Sequence, residues 1–477
     1  MADSVSIAAI PLLREKALAI RAHAEPYAKG IHVSNPSIAL LAGYQVRVCD
    51  ALVTLITDLD TTDEEELSAD LRRLFHCILR LAKLSRFFVQ GESPVLQSDI
   101  LVPWDDVVKK VHPDAALIIR TQSAYEFEAR VEIREVFEKS LPLQLSLRDI
   151  FRGFPRYFLV FNIPAIEAWN VLHQTLLAHE IGHFIYKCQR LDDIAFAILA
   201  KHLPDIKRLF DDAFVKGLAG VASHTYEQFQ EWVSGIVASR FKELMSDIFA
   251  LQIVGPCIVT ALRDFGLPGY SLDFTSDDGT MFLYYPSFRT RFLALLKRVD
   301  VFFQSDGSGG NGNVMTQWCE DLKQWQAALL ASGPPPTSPF STVDNIVEEC
   351  VDAASEKLEG STCRWAYDRQ IFQHEVLPLY NRIVEKIPPN ELRCGEHQTA
   401  PASWQSILNA AWLSYSYNSA WALDVLRFPE TRQTDSDPTV RHHALLEFNE
   451  FIARSLEMAI VHRQFLNQKS TMDGVFD

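Results

Sequence analysis

The segment LLAHEIGHFI at 176–185 carries three side chains capable of chemistry in an otherwise apolar stretch. In an α-helix, residues four apart lie almost above one another, so His179 and His183 would point the same way. Two imidazoles so arranged can bind one metal ion, with Glu180 beside them where a water molecule would lie. The alternative is a histidine pair hydrogen-bonded within a core, since shuffling gives this pattern by chance in roughly 2% of sequences.

A catalytic metal site of this kind needs a third protein ligand and a position left for water. No third histidine follows closely after His183, so the ligand must come from elsewhere in the chain. The segment SRFKELMSDIFAL at 239–251 places Glu243 and Asp247 four residues apart on a predicted helix. Glu243 is therefore the candidate third ligand. Asp247 is the candidate acceptor for the distal nitrogen of a ligand histidine, whose tautomer it would fix.

Together, HEIGH and KELMSDIFA resemble the two motifs of the gluzincin metallopeptidases, the thermolysin-like clan. The resemblance covers the region around 115–305 and implies a zincin-like core. It also implies Glu180 as general base and Asp247 as the partner of a ligand histidine. The implied cofactor is Zn²⁺, bound by three ligands: His179, His183 and Glu243. Two features depart from the family pattern: Lys242 replaces the usual Asn, and the spacing between the motifs is longer than in thermolysin itself.

A further segment, YYPSFRTRF at 284–292, is similar to the HPxxxxR segment that follows the third ligand in several HExxH peptidase families. Arg291 fits that pattern and is predicted to lie just behind the ligands, whereas Tyr285 stands where histidine is usual. The hydroxyl of Tyr284 or Tyr285 is a candidate donor to developing negative charge on a substrate oxygen. The alternative is an ordinary helix start after proline, with Arg291 paired to a surface acid. Three histidines are weaker candidates for the donor: His173, His224 and His374.

Charge and cysteine usage restrict the class of protein. The chain has 61 acidic and 45 basic residues, a formal net charge of −16, which argues against nucleic acid as a partner. Its eight cysteines are scattered without a CxxC pair, which is typical of free thiols in a reducing compartment. The N-terminus lacks the basic start of a signal peptide, and the apolar run at 249–262 is too short to cross a bilayer. We therefore expect a cytoplasmic protein without a membrane partner.

Apolar periodicity predicts a mainly α protein with some α+β character. Helical spacing dominates 1–95, which we interpret as an N-terminal helical domain. Short runs rich in β-branched and aromatic residues at 115–122, 125–133 and 156–164 predict a small sheet within a core at 100–305. Within that core, helices are predicted over 165–188 and 225–253. The glycine-rich segment at 304–313 and the proline-rich segment at 333–339 are predicted linkers, and residues 314–477 are predicted to form a C-terminal helical domain.

These observations predict a zinc metallopeptidase that cleaves a protein or peptide substrate. The helical end regions suggest selective, regulated activity, with a regulatory protein partner bound through them. One alternative is a non-catalytic helical interaction protein that retains a zincin-like scaffold. Another is a hydrolase of a non-peptide amide or ester.

Overall fold

The fold is described from a computed structural model of the chain. The structure describes these residues: 4–30, 35–59, 63–91, 98–123, 128–130, 152–211, 225–266, 284–303, 314–331, 341–359, 363–395, 398–417 and 438–473. Helices account for most of them, as the sequence predicts, and strands are few and short. The chain divides into two compact units, 1–169 and 170–477. The boundary between these units falls inside the predicted core at 100–305. The predicted division into domains at 1–95, 100–305 and 314–477 stays a prediction.

Among its described residues, the first unit contains four α-helices and a small sheet. The helices are α1 (Ser4–Ala28), α2 (Pro36–Thr57), α3 (Glu64–Gly91) and α4 (Ser98–Val111). Inward-facing residues of α1, α2 and α3 form one apolar core with the sheet, to which Phe158 and Val160 contribute. Asn35 caps the start of α2, where its side chain accepts a hydrogen bond from the Ser37 amide at 2.9 Å.

The sheet has three strands in the order β1–β3–β2: β1 (Ala115–Gln122), β2 (Glu128–Arg130) and β3 (Tyr157–Pro164). β1 and β3 are parallel, with Ala115 opposite Tyr157, and β2 is antiparallel to β3. Both long strands are buried along most of their length, which agrees with their nearly continuous apolar sequences.

By length and composition, α2 is the one helix among the described residues that would suffice to cross a membrane. The helix is also a core element of the first unit: Leu41, Val48 and Leu52 are completely buried. A core helix passes the same length and composition test, so this finding is weak evidence for a membrane span.

The described part of the second unit is almost entirely helical. In chain order its elements are α5 (Leu177–Cys188), α6 (Asp192–Lys201), α7 (Leu203–Asp211), α8 (Tyr226–Val254), α9 (Cys257–Gly266), α10 (Phe288–Phe303), α11 (Val314–Ala331), α12 (Ser341–Glu359), α13 (Arg369–Val384), the hairpin β4 (Glu391–Arg393) and β5 (Thr399–Pro401), α14 (Trp404–Tyr417) and α15 (Pro438–Asp473). Helix α8, with 29 residues, carries Glu243 and Asp247. It starts at a capping box, in which Thr225 and Gln228 bond each other's backbone, and it ends at Gly255 with a φ of 81°.

Some boundaries differ from the sequence prediction. A continuous helix was expected over 165–188, but the structure has two short 3₁₀ turns, Ala165–Glu167 and His173–Leu176, before α5 begins at Leu177. Helix α4 and the β4–β5 hairpin were not predicted. The predicted linkers at 304–313 and 333–339 lie outside the described residues, as does most of the second predicted strand.

Candidate metal centre

Two helices meet at the candidate site, and a glycine allows their close approach. A Cβ atom on Gly182 of α5 would lie 2.5 Å from the carbonyl oxygen of Ser246 and 2.7 Å from its Cα, both backbone atoms of α8. Real Cβ atoms do not approach other heavy atoms that closely. Since α5 carries the HExxH motif and α8 carries Glu243 and Asp247, this contact brings the two predicted motifs together.

The two histidines present their Nε2 atoms to one carboxylate. Nε2 of His179 lies 3.3 Å from Oε2 of Glu243, and Nε2 of His183 lies 3.6 Å from Oε1. The imidazole centroids are 4.7 Å apart and the rings are nearly perpendicular. The ligand atoms of His179, Glu180 and His183 also lie within 4.8 Å of one another. Two imidazole nitrogens and two carboxylates therefore converge in one place.

Behind His179 lies a buried ion pair. Asp247 has no solvent exposure, and its Oδ1 lies 2.8 Å from Nδ1 of His179. Arg291, on the first turn of α10, donates to both oxygens of Asp247: Nε to Oδ2 at 2.7 Å and Nη2 to Oδ1 at 2.7 Å. A two-bond arginine–carboxylate contact is both strong and directional. Arg291 thus fixes the carboxylate that in turn holds the imidazole of His179.

Behind His183 lies a hydroxyl group instead of a carboxylate. Oγ of Ser246 is 2.8 Å from Nδ1 of His183 and 2.8 Å from the carbonyl oxygen of Lys242. Ser246 is completely buried. The sequence analysis predicted that Asp247 would bond the distal nitrogen of a ligand histidine, but it did not predict the same role for Ser246. Its spacing was informative nonetheless, because residues 243, 246 and 247 share one helical face.

Burial and charge act in opposite directions on the ionisable groups of the site. Burial favours a high pKa for Asp247 and Glu243, but the charges around them prevail. Arg291 and His179 hold the pKa of Asp247 well below its usual range, and the two histidines lower the pKa of Glu243 to about 2. Both carboxylates are therefore ionised at neutral pH.

The two histidines differ in charge when no metal is bound. Burial, together with the charge of the neighbouring His179, lowers the pKa of His183 to about 3. Burial also acts to lower the pKa of His179, but Asp247 outweighs it and raises that pKa to about 10. His183 is accordingly neutral near pH 7, whereas His179 carries a proton that a metal ion would displace.

The charge balance of the site suits a cation. Three nearly or fully buried carboxylates (Glu180, Glu243 and Asp247) are gathered around the guanidinium of Arg291 and the imidazolium of His179. A divalent ion bound there would displace the imidazolium proton and compensate the negative charge of the buried carboxylates, which is unfavourable when unpaired. The nitrogen and oxygen donors are those that transition metals bind. The residues present could therefore hold a metal ion.

The other predicted site residues are placed differently. Tyr284 and Tyr285 are 37% and 50% exposed, and the ring of Tyr284 lies over Gly235, with Cε1 3.7 Å from where a Cβ would be. Gly235 precedes Glu243 by eight residues, about 12 Å along the helix axis. The donor role of the tyrosines stays a prediction. Nε2 of His173 lies 2.9 Å from Oδ2 of Asp264, and His224 lies outside the described residues.

Comparisons of the chain with protein-family models, with curated proteins and with solved structures find no match.

Proposed function

We propose that the chain is a zinc-dependent metallopeptidase that hydrolyses peptide bonds in a protein or peptide substrate. The observation that supports this most is the convergence of both histidine Nε2 atoms on the carboxylate of Glu243, with Glu180 adjacent. Two histidines and one glutamate are a ligand set of catalytic zinc, whereas structural zinc sites close with four protein ligands. The resemblance of HEIGH and KELMSDIFA to gluzincin motifs points the same way.

Glu243 is the proposed third ligand and Glu180 the proposed base. The carboxylate of Glu243 reaches both Nε2 atoms with its two oxygens, which is where a shared ion would be bound. Glu180 follows His179 directly on the same helix, so its carboxylate lies to the side of the two imidazoles. A carboxylate at that position can take a proton from a water molecule.

His179, His183 and Glu243 would hold the zinc ion, which would supply a Lewis acid for the scissile carbonyl and for the attacking water. The chain's own residues provide the rest of the chemistry. Glu180 takes a proton from the attacking water and delivers it to the leaving amine. Arg291 and Asp247 keep the imidazole of His179 in place during the reaction. Burial of the ligand set keeps bulk water away and strengthens these electrostatic contacts.

The wider setting is proposed on composition and cysteine chemistry. All eight cysteines are free thiols, which supports a cytoplasmic location. We propose that the activity is selective and controlled by a regulatory protein partner bound to the helical end regions. A hydrolase of a non-peptide amide or ester would use the same site, and a panel of peptide, amide and ester substrates separates these activities.

The decisive experiment compares two variants for zinc content and for cleavage of a quenched fluorescent peptide library. Glu180→Gln should keep zinc at the wild-type stoichiometry and lose turnover by roughly 10²–10⁴-fold, the usual contribution of a general base. Glu243→Ala should lose zinc or bind it far more weakly. An unaltered cleavage rate in Glu180→Gln would refute the peptidase mechanism. Absence of zinc in the wild type, even after loading, would favour the non-catalytic interaction protein.

A further inference from the structure

His183 needs an orienting contact as much as His179 does. Its side chain is the more exposed of the two, at 19% against 10%, and no carboxylate lies behind it in the described part of the chain. An imidazole can carry its neutral-state proton on either nitrogen, and only the unprotonated nitrogen can bind a metal. Whatever bonds Nδ1 of His183 therefore decides whether Nε2 is available.

The hydrogen-bonding groups around Ser246 settle where that proton goes. A serine hydroxyl has one proton to donate, and a backbone carbonyl can only accept. Oγ of Ser246 lies 2.8 Å from the carbonyl oxygen of Lys242, so its proton is used there. The same oxygen lies 2.8 Å from Nδ1 of His183 and can only accept from it. His183 is thereby held with its proton on Nδ1 and its lone pair on Nε2.

We infer that Ser246 is a positioning residue that fixes the tautomer and the ring orientation of His183 for metal binding. This inference rests on the proposed function, because it concerns the ligand set of the same site. Neighbouring residues of α8 thus orient different ligands: the carboxylate of Asp247 hydrogen-bonds His179, and the hydroxyl of Ser246 hydrogen-bonds His183. The packing of Gly182 against the backbone of Ser246 holds that hydroxyl in register with α5.

The chain offers a matched control for a substitution at this position. Ser455 is also completely buried on a helix, and its Oγ also donates to the carbonyl oxygen four residues earlier, Phe451, at 2.8 Å. No histidine bond to Ser455 is present among the described residues. Ser246→Ala and Ser455→Ala thus remove the same helical contact, and only the first removes a bond to a ligand.

The test measures Zn²⁺ affinity of the full-length chain by competition with a chromophoric chelator. Ser246→Ala should weaken Zn²⁺ binding by about 10–100-fold, the usual effect of losing such an outer contact. Ser455→Ala should leave the Zn²⁺ affinity within about twofold of the wild type, because distant sites without shared partners affect each other by less than about 0.5 kcal/mol. Equal affinities for the wild type and Ser246→Ala would overturn the inference while leaving the proposed function intact.

A second readout is independent of turnover and of bound metal. In ¹⁵N-histidine-labelled, metal-free protein, His183 should show Nδ1 protonated and Nε2 unprotonated, and Ser246→Ala should shift it towards a mixture of tautomers. A wild-type His183 protonated on Nε2 would overturn the inference even if zinc binds. A wild type that binds no zinc would overturn the proposed function and the inference with it.

Discussion

The contact between α5 and α8 can be tested with a single methyl group. In Gly182→Ala the new Cβ would lie 2.5 Å and 2.7 Å from two backbone atoms of Ser246. Ordinary carbon–oxygen contacts are near 3.5 Å, so the helices must separate by roughly 1 Å. Neither partner atom belongs to a flexible side chain, so no rotamer change can relieve the overlap.

The expected cost combines two opposing effects. Overpacking in a close-packed core destabilises by about 1–3 kcal/mol, and two backbone contacts place this site at the upper end. Replacing glycine by alanine within a helix returns about 1 kcal/mol through helix propensity. The net loss should be about 1–2 kcal/mol. Because the separation also moves Glu243 away from both imidazoles, the affinity for zinc should fall as well.

The assay is urea unfolding together with Zn²⁺ competition, and Gly235→Ala is the control. Gly235 lies on α8 itself, and a Cβ there meets only a ring carbon of Tyr284 at 3.7 Å, an ordinary contact. That variant should be as stable as the wild type or slightly more stable, with unchanged zinc affinity. A Gly182→Ala protein that matched the control in both measurements would refute the close crossing of the two helices.

Two further predictions concern charged groups of the second unit. Arg291→Met leaves the fully buried Asp247 without its guanidinium partner. Urea unfolding should show a loss of about 3–5 kcal/mol in stability, as when one partner of a buried ion pair is removed. A loss below about 1 kcal/mol, the contribution of an exposed pair, would contradict this. His202 lies between two carboxylates, which raise its pKa above 6.5, so its ion pairs contribute fully below that pH and are lost as pH rises through the folded pKa. His202→Gln should therefore reduce the free energy of unfolding at pH 6 by a few tenths to about 1 kcal/mol, seen as a lower thermal unfolding midpoint, and should reduce it less at pH 9. A stability difference between wild type and variant that grew with pH would contradict this.

Apolar periodicity was sufficient to find most of the long elements. The predicted strands at 115–122 and 156–164 correspond to β1 and β3, and the predicted helix at 225–253 corresponds to α8. The failures have local causes. The 165–188 prediction joined two 3₁₀ turns to α5, because such turns are frequent at helix starts and are too short for apolar periodicity to distinguish them from a helix. Helix α4 was missed because its sequence contains Pro103, which disfavours a helix interior, and because its apolar stripe is short.

The site was partly predictable because its residues recur at helical spacing. His179 and His183, like Glu243 and Asp247, are four residues apart, so each helical face could be inferred from the sequence alone. The pairing of the two faces was predicted through the resemblance to the gluzincin motifs, because helical spacing alone does not show which helix packs against α5. The close approach at Gly182 was not predicted. The role of a glycine inside a helix emerges only when the opposing backbone is seen. For Arg291, the sequence predicted a position behind the ligands but not its contact with Asp247.

One short stretch of α8 controls most of the candidate site. Glu243 supplies a carboxylate for both histidines, and Ser246 and Asp247 each hold the far nitrogen of one imidazole. A shift of α8 relative to α5 would disturb all of these contacts together. Metal affinity and the packing of the two helices must therefore rise and fall together, since the binding site exists only where the helices touch. A surface cluster of histidines and acids would lack that coupling, because no core packing holds its members in register.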